Sequence, residues 1–175
     1  MERIDRILQH KRFQECRQQI MQAEVHRIYC KHGLEHSMDV ARIAYILSLE
    51  TGESGQKLDR EIIYAMALLH DLGRSVEYQN GRSHHEAGAE IAGEILYDCG
   101  FTKTEIAWIT GAIATHRHAE DKKAGDKAAG EVESIGMQYR RILYRADKLS
   151  RNCFDCPAAD TCYWPMEKRN HGIII

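Results

Sequence analysis

The chain has 175 residues, of which 43% are hydrophobic and 29% charged, a balance that supports one packed domain and excludes wholesale disorder. Its 24 Lys and Arg against 26 Asp and Glu leave a net charge of -2, which argues against a broad basic face for nucleic acid. The longest apolar run, Ile62 to Leu69, falls far short of the roughly 20 residues of a membrane helix, and the charged start Met1-Glu2-Arg3-Ile4-Asp5 lacks the apolar stretch of a signal peptide. A cytoplasmic location away from membranes is therefore expected. There are two prolines, Pro157 and Pro165, and the rest of the chain is rich in Ala, Leu, Ile, Glu, Arg and Lys. Those side chains lose little freedom in a helix, so the expected fold is all-α.

In chain order, residues 2 to about 31 carry one long helical pattern, with Ile4, Ile7 and Leu8, then Ile20, Ala23, Glu24 and Ile28, at three- and four-residue steps. Gly33 is the expected stop. A second helix runs from about Leu34 to Glu50, followed by the loop Thr51-Gly52-Glu53-Ser54-Gly55. The third, about Asp59 to His70, is apolar nearly all round and is expected to be the buried central helix, ended by Gly73. Asn80-Gly81 marks a turn. Ser83-His84-His85-Glu86 has the form of a capping box and opens a helix to about Asp98, closed by Gly100. Thr102-Lys103-Thr104-Glu105 is a second such box, opening a helix to about His116. From His118 to Gly136 the pattern fades into a charged, Gly-rich stretch that reads as a solvated lid-like loop around Gly125 and Gly130. The last long helix covers about Met137 to Arg151, and a Cys-rich tail, residues 152–175, is expected to pack on the bundle through Tyr163 and Trp164.

Ten histidines are many for this length. His10, His26, His32 and His171 read as ordinary surface or core residues. Others sit where helix ends meet: His36 in a first turn, His70-Asp71 closing the buried helix, His84 opening the next, His116 ending the one after. Asp147 lies beside the apolar stripe of the last helix. A carboxylate on a core-facing position is costly unless it is paired or bound to a cation. Four imidazoles and two carboxylates offer the nitrogen and oxygen ligands that first-row divalent metals favour. A dinuclear centre with one bridging carboxylate satisfies them all. Neighbours His84 and His85 point about 100° apart on a helix, so one of the two is expected to face the cavity; His118 relates to His116 in the same way.

Six cysteines include Cys153, Cys156 and Cys162 within ten positions. In a cytosolic protein such a cluster suggests metal or redox chemistry, a zinc or iron–sulfur site, more than a disulfide framework. Three thiolates leave such a shell incomplete, and Cys16, Cys30 and His171 are the candidates for a fourth ligand.

His36-Ser37-Met38-Asp39-Val40-Ala41-Arg42, Ala67-Leu68-Leu69-His70-Asp71-Leu72-Gly73 and Arg145-Ala146-Asp147-Lys148 resemble the HD-domain metal-dependent phosphohydrolase superfamily, whose signature is H…HD…D. The resemblance covers about residues 24 to 151, within a single domain of residues 1–175. His84-His85-Glu86-Ala87-Gly88-Ala89 and Ala112-Ile113-Ala114-Thr115-His116 are similar to the extra histidine segments of two-metal members such as the bacterial diadenosine-tetraphosphate hydrolases. The Gly-Tyr-Pro segment of the cyclic-di-nucleotide branch is absent, and the Cys-rich tail lies outside the general pattern.

The resemblance implies an HD-domain helical bundle. In it His36, His70, Asp71 and Asp147 hold one divalent cation, and Asp71 bridges to a second held by His84 and His116. Iron or manganese suits these ligands, with Mg or Zn as alternatives. The implied reaction is cleavage of a phosphate ester or anhydride of a nucleotide, or a similar small molecule, by a metal-bound hydroxide. Arg74, Lys148 and Arg117 flank the ligands and are candidates to hold phosphoryl oxygens. Two rival readings share the centre: a di-iron oxygenase of the HD type, and a non-catalytic metal or nucleotide sensor. A homodimer is compatible with all three.

Overall fold

The computed structural model describes residues 1–50, 58–116 and 134–173. Its helices are α1 (Glu2–Gln9), α2 (Lys11–Ala23), α3 (Leu34–Glu50), α4 (Arg60–Leu69), α5 (Arg74–Asn80), α6 (His84–Asp98), α7 (Lys103–Thr115) and α8 (Ile135–Leu149), followed by short 3-10 turns in the tail. No strand occurs among the described residues. The candidate Arg117 and the lid-like loop of the sequence reading, with His118, Gly125 and Gly130, lie outside them except at the loop's end, where Gly136 belongs to the first turn of α8.

Helix α4 is the core, as its composition requires. Ile62, Ile63, Ala65, Met66, Ala67, Leu68 and Leu69 are all buried, and each large apolar side chain removed from water contributes about 1.5–3 kcal/mol. Helices α1, α3, α7 and α8 pack around it. Asp59 caps it by accepting from the Glu61 and Ile62 amides at 2.7 and 3.1 Å, and the Asp59 amide donates to the Tyr139 hydroxyl at 2.9 Å, which ties α8 to the same end. Arg3 joins α1 to two other helices, donating to Glu61 at 2.7 Å and to Glu105 at 3.0 Å.

Three boundaries differ from the sequence reading. The first helical pattern is broken at His10, whose backbone is extended and whose ring accepts from the Arg12 amide at 3.2 Å; an imidazole there caps α2 and ends α1. The pattern also stops at Ala23 and not near residue 31, and Glu24 turns inward to bind the His32 amide at 2.8 Å. Ser83 precedes α6 without a side-chain capping bond, so that capping box does not form. The Thr102–Glu105 box does form, with both reciprocal bonds present.

Gly73 does not act as a helix terminator. Its φ is -63° and the chain runs through it into α5, a helix the sequence reading did not anticipate. It is small for another reason: a Cβ there would stand 2.0 Å from the His84 carbonyl oxygen and 2.4 Å from the Gly88 amide nitrogen. The missing side chain lets the start of α6 press against the turn that carries His70 and Asp71.

Candidate metal centre

The ends of α4 and α7 and the beginnings of α3 and α6 meet at one place, and α8 passes beside it. His70 is fully buried at the C-cap of α4, and Asp71 follows it at 5% exposure. His36 comes from the first turn of α3, His84 opens α6, His116 is the C-cap of α7, and Asp147 sits in the last turn of α8. The six predicted ligands therefore converge.

Asp71 lies between two groups. Its Oδ2 is 3.0 Å from His70 Nε2 and 3.5 Å from His36 Nε2, while its Oδ1 is 4.0 Å from His116 Nε2. Asp147 Oδ1 is 3.5 Å from His36 Nε2. Ligand atoms of His36, His70 and Asp71 lie within 4.8 Å of one another, and so do those of His84, His85 and His116.

The outward nitrogens fix the tautomers. His70 Nδ1 donates to the Ala67 carbonyl at 2.7 Å and His116 Nδ1 to the Ile113 carbonyl at 2.5 Å, because a carbonyl only accepts. His84 Nδ1 donates to the Glu77 carboxylate at 2.8 Å. Ser150 Oγ gives its own proton to the Asp147 carbonyl and so accepts from His36 Nδ1 at 3.3 Å. All four rings thus turn Nε2 inward, the orientation in which metal-ligating histidines are held. The buried Nε2 atoms of His36 and His70 make no hydrogen bond although carboxylate oxygens face them. Donor atoms opposed in this way call for a positive charge between them, a proton or a metal ion, and a divalent metal fits the donor set.

The titration behaviour shows the pull of the carboxylates. Burial alone would lower His36, but Asp147 and Asp71 outweigh it and raise it to about 9, so near neutral pH its inward nitrogen holds a proton that a metal ion would displace. Burial would raise Asp71, yet His70 and Arg74 hold it well below the usual carboxylate range. Asp147 is lowered likewise, against burial, by His36 and Lys148. Burial, reinforced by His70, pushes His116 down to about 3, so its ring stays neutral and able to ligate.

Besides Ser150, two residues join the site that the sequence reading did not place there. His85 is buried, its ring centroid 3.8 Å from that of His84 and 4.4 Å from that of His116. The expectation that one of the pair turns away fails because side chains tilt toward the helix N-terminus, so both project over the open end of α6. Glu77, on the unanticipated α5, orients His84. Arg74 donates to Asp71 Oδ1 at 2.8 Å, and Lys148 pairs with Asp147. Both line a cavity of about 690 Å³ together with His36, Asp71, His84 and His116.

The tail covers the rim of that cavity. Tyr29 donates from its hydroxyl to the Thr161 carbonyl at 3.0 Å and meets the Tyr163 ring edge-on at 5.7 Å. Asn170 donates to the Lys148, Leu149 and Arg151 carbonyls and closes the end of α8. All six cysteines are free thiols.

Residues 33–152 match the HD domain family, and the chain belongs to it. An uncharacterized protein of Clostridium beijerinckii is 40% identical over 150 residues, 86% of this chain and 84% of that protein. Ribonuclease Y of Enterococcus faecalis is 33% identical over 122 residues, 70% of this chain but 18% of the ribonuclease. The crystal structure of a predicted HD superfamily hydrolase from an uncultured Thermotogales bacterium shares the fold, with a TM-score of 0.55 and 23% identity over 89% of this chain and 80% of that one. No helix among the described residues is long and apolar enough to cross a membrane.

Proposed function

We propose that the chain is a metal-dependent phosphohydrolase that cleaves a phosphate ester or anhydride of a nucleotide or similar small molecule. The observation that carries this reading is the convergence of four inward-turned imidazoles on the buried Asp71 and the half-buried Asp147 at one cavity. Bound divalent cations would acidify a water toward neutrality and offset charge on phosphoryl oxygens.

The protein's own groups do the rest. His36, His70, Asp71 and Asp147 form one set of ligands. His84 and His116 form the other, with His85 beside them, and the two oxygens of Asp71 are divided between the sets. Arg74 and Lys148 stand at the same cavity, where their N–H groups suit non-bridging phosphate oxygens. Membership of the HD domain family supports the hydrolase reading. The ribonuclease relatives favour a second substrate class, an RNA phosphodiester, although the chain spans only 18% of the Enterococcus protein. The net charge of -2 and the bounded cavity favour the small substrate.

Phosphate release by anaerobically purified protein, tested on a nucleotide panel and a short RNA with Mn, Fe or Mg, separates these readings. Turnover of a nucleotide is expected, with Asp71→Ala losing both bound metal and activity and His84→Ala losing one of two metals. Oxygen consumption without phosphate release would assign the centre to an oxygenase instead. Full activity in Asp71→Ala would sink the ligand assignment.

A further inference from the structure

The motif that the phosphohydrolase reading leaves unused is the cysteine set. Cys153 and Cys156 flank the 3-10 turn Cys153–Asp155, and the Cys156 amide donates back to the Cys153 carbonyl at 3.4 Å. Cys162 ends the next such turn, Ala159–Thr161. These three belong to the tail. The fourth comes from the far end of the sequence: Cys30 follows Tyr29, whose hydroxyl and ring hold the tail at Thr161 and Tyr163. All four cysteines line the rim of the cavity described above. Cys16 and Cys99 are buried in the core and stand apart from this group.

The backbone around the set is pinned. Arg27 Nε donates to the Cys30 carbonyl at 2.8 Å, and Arg169 Nη2 to the Cys162 carbonyl at 2.8 Å. Arg169 also donates to the Ala159 and Trp164 carbonyls, which closes the 159–164 loop on itself. Arg151 lies over the Trp164 ring at 4.4 Å and reaches the rim. The Cys30 thiol titrates above the usual cysteine range: partial burial raises it, Arg151 draws it down, and neighbouring Cys153 and Cys156 push it up again. Arg27, Arg151 and Arg169 stand around the set, where their charges can offset an anionic group.

Placement decides which group suits them. A mononuclear zinc with bonds of about 2.3 Å draws its tetrahedral sulfurs to within about 4 Å of one another. Here the cysteines come from the segment after α2 and from two successive 3-10 turns, spread along the rim of one cavity. In an iron–sulfur cube each cysteine binds a different corner, so the four sulfurs stand further apart around a larger body. We propose that Cys30, Cys153, Cys156 and Cys162 bind a [4Fe–4S] cluster at the rim of the cavity, joining the segment after α2 to the tail.

The site is independent of the histidine–carboxylate centre, and its test does not use phosphate release. The full chain is produced with iron and sulfur in excess, purified without oxygen, and assayed for iron and acid-labile sulfide. About four sulfides per chain are expected, the number in a cubane cluster, with visible absorption that dithionite bleaches. Cys30→Ser and Cys153→Ser are each expected to lose most of the sulfide while far-ultraviolet dichroism stays helical. Where a variant proves insoluble, the wild-type chain is stripped and rebuilt with ferrous iron and sulfide, and uptake of about four sulfides is the expected result. One zinc per chain and no sulfide would overturn the cluster, as would failure to take up sulfide on rebuilding. Full sulfide retention in Cys30→Ser would remove Cys30 from the ligand set.

Discussion

Glu77 illustrates how much a single outer residue decides. It is not among the candidate ligands, yet its carboxylate is the acceptor that leaves His84 Nε2 free to ligate beside His85 and His116. Removing such a partner typically costs 10–100-fold in metal affinity or activity. Glu77→Gln is therefore expected to weaken the metal held by His84 by about that factor while leaving the site of His36 and Asp147 filled; calorimetric titration of the stripped protein checks this, and equal affinities at both sites would refute it. Glu24 has a structural part of the same kind. Burial would raise its pKa, but His32 and the Tyr78 hydroxyl outweigh burial and lower it to about 2 from an ordinary 4.5. A carboxylate depressed on folding stabilises above its unfolded pKa and loses that contribution as pH falls through the folded one. Acid unfolding should thus steepen between about pH 4.5 and 2, and Glu24→Gln should flatten that limb in dichroism-monitored titrations.

Among the elements, the contact of α6 with the turn after α4 is the most exacting. Backbone atoms meet Gly73 where a methyl would stand, so neither side has a flexible group that yields. Overpacking of a tight core commonly costs 1–3 kcal/mol, and backbone collisions lie at the upper end. Gly73→Ala is expected to lose at least about 2 kcal/mol in urea unfolding; Gly88→Ala, whose Cβ would meet nothing closer than 3.4 Å, should lose less. Helix caps offer a matched comparison. Thr102→Ala breaks a formed capping box and should cost about 1 kcal/mol. Ser83→Ala removes no capping bond and should leave the melting temperature unchanged. Equal losses in the two variants would show that the difference between these caps is not real.

At the scale of the molecule, two carboxylates and five histidines, all buried or half-buried, converge where helix ends meet. That concentration of polar groups sits beside a core otherwise made of Ile, Leu, Ala and Met, and cations are what reconcile the two. A ligand at about 100 times its Kd stabilises the folded state by about 2.7 kcal/mol. For a chain of this size that corresponds to roughly 5–11 °C in melting temperature. Chelation should lower the transition by about that amount, and readdition of Mn or Fe should restore it. A melting curve indifferent to chelator would mean that the centre folds without metal.

Much of this was readable one segment at a time. Leu34–Glu50 and the far end of α6 came out where the apolar spacing put them, because helix period and stop residues are local properties. The six candidate ligands were legible for the same reason: histidines and carboxylates at helix ends, beside apolar stripes, are conspicuous in a linear pattern. What the chain order conceals is which ends meet. His85, Glu77 and Ser150 entered the site only through the packing of α6, α5 and α8 around Asp71, and Cys30 shares a cavity rim with Cys153 where Tyr29 docks on the tail. Gly73 looked like a stop signal and proved to be a point of close approach. The amino-acid sequence by itself determined the helices and the chemistry they carry; the tertiary structure alone decided the neighbours, since contacts between distant segments depend on the packing of whole helices and leave no periodic trace along the chain.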